Sequence, residues 1–295
     1  MAAIARGGPS TLCAMRILIT GSAGMLGRDC DEHAVAAGHE TVTLTRADLD
    51  VTDAGAVAAA IADARPDAVI NCAAWTNVDG AESEYDAALA VNGAGAGHVA
   101  VAAAAVGAWT IHVSSDYVFD GAKPEAYVES DPVGPISAYG RSKLEGERAV
   151  ALAAPRHHTI VRTSWLFGAH GRCFPKTILR MARERDEIGV VSDQVGCPTF
   201  TGHLAGALVG LARAPRLGVL HVAASGHCSW CDFATAIVAA SGLDCVVRPI
   251  TSDQYPVPAP RPANSVLASE RDAPALVGWE QGLREFMSAL ARVAA

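Results

Sequence analysis

Tyr139 and Lys143 stand four residues apart in Ser137-Ala138-Tyr139-Gly140-Arg141-Ser142-Lys143-Leu144-Glu145, a spacing that brings two side chains together on one face of a helix. A free phenol titrates near about 10, so acid work at neutral pH needs a neighbouring cation that favours the phenolate. Lys143 supplies the cation, and the pair predicts a lowered phenol acting as proton donor. Upstream, Ile111-His112-Val113-Ser114-Ser115 reads as a strand ending in hydroxyls, and the carboxyl end of such a strand is the ligand side of an open α/β sheet. Ser115 is the candidate hydrogen-bond donor to a carbonyl oxygen.

A third pattern says what the carbonyl would receive. Gly21-Ser22-Ala23-Gly24-Met25-Leu26-Gly27 follows the strand-like run Arg16 to Thr20 and precedes an amphipathic segment. Gly21 permits a tight turn, Gly24 lets backbone amides approach a pyrophosphate, and Gly27 lets helix and strand pack closely, with Met25 and Leu26 opening the helix beneath the phosphates. A dinucleotide loop ahead of a serine, a tyrosine and a lysine predicts hydride transfer from nicotinamide to a ketone. Ser115 polarises the oxygen, Tyr139 protonates it, and Lys143 also reaches the nicotinamide ribose. The second strand ends in Thr43-Leu44-Thr45-Arg46, where an NAD-preferring site usually has an acidic residue, so NADPH is favoured over NADH. Arg46 is then either the 2′-phosphate partner or a solvent-facing cation. Asp48 and Leu49 either flank the adenine or form a plain turn. Ala73 and Ala74, small residues after the third strand, let a cofactor lie across the strand ends. Asn92, polar in an apolar helical stretch, either bonds backbone near the catalytic helix or points outward.

The elements that must position these groups alternate along the chain. Strand-like runs at Thr41 to Leu44, Ala68 to Ala73, Trp109 to Ser114, Thr159 to Thr163, Val190 to Ser192 and Val219 to Ala223 are separated by alanine-rich helical patterns. Alternation of this kind predicts an α/β fold with a doubly wound parallel sheet of the Rossmann type, covered by helices on both faces. Residues 1–14 read as a flexible extension and 15–162 as the dinucleotide-binding domain, completed by parts of 189–224. Residues 163–295, broken by prolines such as Pro256, Pro258, Pro260 and Pro262, form mainly a smaller C-terminal substrate lobe.

Composition narrows the class. In 295 residues, 18% are charged and the net charge is −8, with no basic run to meet a nucleic-acid polymer. Glycine or charge interrupts the apolar stretches before the roughly 20 residues of a membrane span, so a cytoplasmic protein is expected. The eight cysteines mostly sit in apolar runs and argue against disulfides. Cys228 and Cys231 have metal-site spacing but no second ligand pair, which leaves two side chains near a helix start capped by Ser229 and no metal.

From Met15 onward the chain resembles the extended short-chain dehydrogenase/reductase superfamily, and more closely the dTDP-4-dehydrorhamnose reductase family. The resemblance rests on the loop Gly21 to Gly27, Asn71 to Asp79, Ser114 to Gly121, Tyr139 to Lys143, Arg162 to Gly168 and Asp193 to Thr199. It implies NADPH- or NADH-dependent reduction of dTDP-4-dehydro-β-L-rhamnose, with Thr76, Val78, Asp116, Tyr117 and Trp165 touching the dTDP-sugar. Trp165 is then a stacking face or a core residue. Relatives commonly carry threonine in place of Ser115 and tyrosine in place of Cys231. Some bind Mg²⁺ at a homodimer contact. Here the matching position is Asp29, and its further ligands are not identifiable, which leaves both Mg²⁺ and dimerisation open. Two alternatives stand beside this reading: a reductase of another 4-keto deoxysugar nucleotide in an antibiotic-sugar pathway, and a non-catalytic regulatory subunit that retains the nucleotide fold.

Overall fold

The computed structural model describes residues 14–294, so the expected N-terminal extension lies, apart from Ala14, outside the described residues. Six parallel strands form the main sheet: β1 (Arg16–Thr20), β2 (Glu40–Leu44), β3 (Ala68–Asn71), β4 (Trp109–Ser115), β5 (His158–Thr163) and β6 (Gly218–His221). Their order is β6-β5-β4-β3-β1-β2. The winding reverses after β2, which puts the switch point between β1 and β3 and opens a crevice there for a ligand. The glycine loop leaves β1 at that point, and Ala73 and Ala74 follow β3 beside it.

Alternate residues of the central strands point to opposite faces, as the pleat requires. Ile17 and Ile19 of β1 pack with Ile70 and Ile111 on one face, while Leu18 and Val69 pack on the other. The helices run α1 (Met25–Ala36), α2 (Ala54–Ala64), α3 (Tyr85–Ala105), α4 (Ala138–Ala153), α5 (Phe174–Glu184), α6 (Thr201–Arg213), α7 (Trp230–Ser241) and α8 (Trp279–Ala294). Helices α1 and α6 cover the first face through Leu26, Cys30, Leu204 and Leu208, and α2 and α3 cover the second through Val57, Ile61, Val99 and Ala103. Each fully buried valine, leucine or isoleucine among them contributes roughly 1.5–3 kcal/mol.

Helix α3 departs from expectation. Over 21 residues it is long and apolar enough to cross a membrane, and half of it is buried in the fold. Its glycines do not interrupt it. A Cβ at Gly93 or Gly95 would stand 2.8 Å from Leu89 or Val51, so these residues allow close packing, and the helix absorbs them through a π turn at Ala90–Gly95.

The lobe has its own core of Phe167, Ile178, Leu179, Phe233, Ile237, Leu283 and Phe286, drawn from α5, α7, α8 and the loops between. Val190 and Val191, expected in the main sheet, belong instead to Glu187–Val191, which pairs with Val246–Ile250 in a separate ribbon. Ser192 lies just beyond that strand, its amide bonded to Ile250 O. Short pairs of Leu166–Phe167 with Thr199–Phe200 and of Val195–Gly196 with Cys228–Ser229 tie the lobe to the strand ends. Ser229 caps α7 in a reciprocal box with Asp232, which explains the residues between Cys228 and Cys231 without a metal.

Candidate active site

Sheet and lobe enclose a cleft of about 920 Å³ across the carboxyl ends of β1, β3 and β4. At one end lies the glycine loop. Gly21 has φ +64°, and a Cβ there would stand 2.7 Å from Ala73 N; a Cβ at Gly27 would stand 2.5 Å from Gly21 O. Only glycine fits either place, so α1 begins directly under the loop. No side chain caps its N-terminus at Gly24, and its first amides are left for an anion. Met25, Leu26, Ala73 and Ala74 line the same wall, as do Arg46 and Leu49 at the mouth. This cradle fits a dinucleotide. Asp48 is not in the wall: its carboxylate accepts the Thr45 amide at 2.9 Å and hydroxyl at 2.7 Å, which holds it below the usual carboxylate range and closes a turn.

Ser115, Tyr139 and Lys143 converge in the middle of the cleft. Ser137 caps α4 by accepting Gly140 N at 3.1 Å, and Gly140 is there because a Cβ would run into Tyr117 O. That contact presses α4 onto the end of β4 and sets Tyr139 beside Ser115. Lys143, 2% exposed, donates to Val113 O at 2.7 Å, which leaves two of its three protons for the cleft. Burial lowers its pKa to about 8, against the pull of the Glu147 carboxylate. The lowered phenol expected for Tyr139 is not found: burial pushes it up to about 12, with Ser115 opposing. Tyr139 is therefore held as a protonated donor, and the charge that would draw off its proton must arrive with the reaction. Asn92 bonds inward, donating to Ser142 Oγ at 2.9 Å on α4 and accepting Trp75 N at 2.8 Å.

The other end of the cleft is lined by Thr76, Val78, Asp116, Tyr117 and Trp165. Trp165 has φ +46°, an uncommon conformation for a large side chain and one that marks a constrained position. Its ring presses on Gly196, where any Cβ would collide with the indole. Asp116 is 2% exposed, and both its oxygens are taken within the protein, Oδ1 by Ser115 Oγ at 2.9 Å and Oδ2 by Ser164 Oγ at 2.8 Å.

Several residues of the site escape sequence reasoning. Ser164 and Ser265 reach Asp116 from distant segments, with no local pattern to announce them. Trp230 lines the cleft beside Trp165, and Arg172 stands at its mouth. Glu147 and Arg162 form a buried ion pair at 2.7 Å beneath Lys143. An arginine within the apolar run of β5 and a glutamate one turn after Lys143 were the available signals. Asp29 meets Glu32 and His170, with ligand atoms within 4.8 Å of one another. Magnesium is held octahedrally, usually by one or two carboxylates with waters completing the shell, and Asp29 and Glu32 are two such carboxylates.

A doubly wound sheet, a glycine-loop cradle at its switch point and a Ser–Tyr–Lys trio at the next strand end define a nicotinamide-dependent oxidoreductase of the short-chain dehydrogenase/reductase kind. A family model described as RmlD substrate binding domain matches residues 15–292. The dTDP-4-dehydrorhamnose reductase of Mycolicibacterium smegmatis is 45% identical over 285 residues, covering 94% of this chain and 86% of that one. The dTDP-4-keto-6-deoxy-D-glucose reductase of Streptomyces niveus is 42% identical over 256 residues, 86% of this chain and 89% of that one. A crystal structure of dTDP-4-dehydrorhamnose reductase from Bacillus anthracis in complex with NADP superposes with a TM-score of 0.90 at 36% identity, covering 94% of this chain and 99% of that one. The chain belongs to the dTDP-4-dehydrorhamnose reductase family.

Proposed function

We propose that the protein reduces the 4-keto group of dTDP-4-dehydro-β-L-rhamnose to give dTDP-L-rhamnose, with NADPH as reductant. The observation that carries the reading is the convergence of Ser115, Tyr139 and Lys143 between a nucleotide cradle and an aromatic-lined pocket in one cleft. A nicotinamide bound along the glycine loop supplies hydride to the carbonyl carbon. Ser115 holds the carbonyl oxygen, Tyr139 gives its proton to the forming alkoxide, and the Lys143 ammonium stabilises the phenolate that remains. Arg46 takes the 2′-phosphate of NADPH. Leu49 lies against the adenine, whereas Asp48 shapes the turn and leaves the cofactor alone. Thr76, Val78, Tyr117 and Trp165 hold the nucleotide sugar, with Asp116 on the floor below. The cysteines among the described residues are all free, in keeping with a cytoplasmic enzyme.

The test is NADPH oxidation followed by absorbance, with dTDP-4-dehydro-β-L-rhamnose set against a panel of other 4-keto sugar nucleotides and the product sugar identified. Turnover to dTDP-L-rhamnose supports the reading. Turnover only on dTDP-4-keto-6-deoxy-D-glucose moves the substrate while keeping the chemistry, an alternative favoured by the Streptomyces niveus relative. Cofactor binding without any turnover would make the chain a regulatory subunit, against which the intact trio argues.

A further inference from the structure

Ser115 has one proton and two lone pairs, and the proton is committed. Its hydroxyl donates to Asp116 Oδ1 at 2.9 Å, because an ionised carboxylate can only accept. It accepts Tyr117 N at 3.2 Å, and Tyr139 lines the cleft beside it. A serine so occupied has no proton for a substrate oxygen. The acceptor that holds its proton is itself unusual, a carboxylate 2% exposed, bonded by the hydroxyls of Ser115 and Ser164 with Ser265 beside them, and among the described residues by no cation.

We propose that Asp116 is a positioning residue that, when protonated, turns Ser115 around, so that the serine proton leaves the carboxyl group and is donated to the sugar carbonyl. With a proton on Asp116, the carboxyl O–H donates to Ser115 Oγ and the Ser115 O–H points into the cleft. The carbonyl oxygen then accepts from Ser115 and from Tyr139. As hydride reaches the carbon, the C=O π pair moves onto oxygen, and the Tyr139 proton completes the alcohol while its phenolate stays beside Lys143. Asp116 keeps its proton throughout and sets only the direction of the hydrogen bond. This inference rests on the ketone-reduction reading above.

The environment suits that switch. Burial raises Asp116 to about 6, with the serine hydroxyls of Ser265, Ser164 and Ser115 holding it back. The titratable groups that face it are Tyr117 beyond β4, Tyr139 on α4 and Cys197 from the lobe. All of these are neutral near pH 7, since burial pushes each of them up. Arg261 pairs with Asp79 at 3.0 Å and acts on Tyr117. An anionic substrate arriving overhead favours the protonated form further.

The test is the pH dependence of the single-turnover rate at saturating NADPH and sugar nucleotide, in the native chain and in Asp116→Asn, Ser164→Ala and Ser265→Ala. The native rate falls as pH rises through the titration of Asp116. Each serine variant removes a hydroxyl that favours the carboxylate, so the fall moves up by about one pH unit. Asp116→Asn abolishes that fall and leaves a separate one set by Lys143. A purely structural role would scale the rate equally at every pH. A fall that stays in place in both serine variants, or persists in Asp116→Asn, overturns the proposal while the reductase reading stands. A native chain inert toward the whole panel overturns that reading, and this inference with it.

Discussion

The indole rings of Trp165 and Trp230 lie parallel, 3.4 Å apart and 1° from coplanar in orientation, at the edge of the cleft. Trp165 is held between Trp230 and the bare backbone of Gly196, and Phe174 backs Trp230 with ring centres 4.5 Å apart. A stack this constrained presents a rigid, flat apolar face to the cleft. Trp230→Ala frees Trp165 to rotate and should raise KM for the nucleotide sugar about 3- to 10-fold, the equivalent of one aromatic pair. Steady-state kinetics with parallel NADPH titration reads the result. If KM and kcat are both unaltered, the stack serves only the lobe's own packing.

Removing one oxygen tests the acid. Tyr139 packs edge-on against Tyr117 at 5.6 Å, and Tyr139→Phe preserves that contact and the cradle. Turnover should drop by about 10²- to 10⁴-fold, the usual worth of a positioned proton donor. NADPH affinity, followed by fluorescence titration, should remain within about threefold, because the lost group acts on the transition state. Retained turnover would give the proton-donor role to another group.

What could be read from the chain was local, and what could not was assembled from afar. The glycine loop and the Tyr139–Lys143 spacing are consequences of one turn and one helix, so their chemistry is visible in a few consecutive letters. The hydroxyls gathered around Asp116 come from positions 115, 164 and 265, and only the folded chain brings them together. Asp48 shows the opposite case, two local readings that only the folded turn separates. Its acidic side chain suits the adenine or a turn equally in the sequence, and in the fold it accepts the Thr45 hydroxyl three residues earlier. The strand Glu187–Val191 carries the apolar composition of a main-sheet strand, but its partner Val246–Ile250 lies in the lobe, and composition cannot name a partner.

Cofactor preference turns on Arg46, which is exposed at the cleft mouth just past β2. A guanidinium is suited to a phosphate and has little to gain from a ribose hydroxyl. Arg46→Ala should weaken NADPH about 10-fold, as for a lost charge-assisted hydrogen bond, and NADH within about twofold. Paired titrations of the two cofactors decide it. Equal weakening would remove Arg46 from the 2′-phosphate.

Lys143 gives the alkaline side of the rate profile a sign that can be checked. Its ammonium is present below about 8 and lost above it, because burial disfavours the charged form. Activity should therefore fall as pH rises through that value. Glu147 works against burial, holding the ammonium charged, and Arg162 in turn fixes Glu147 with hydrogen bonds of 2.9 and 2.7 Å. In Glu147→Gln the carboxylate charge is gone, so Lys143 loses its proton more easily and the alkaline fall should move down by about one pH unit. Arg162 is then left buried without its partner, at a cost of about 3–5 kcal/mol in stability, so thermal melting must show the variant folded at the assay temperature. A fall that stays in place in the folded variant would mean that burial alone sets Lys143, and that the Glu147–Arg162 pair serves the sheet and not the chemistry.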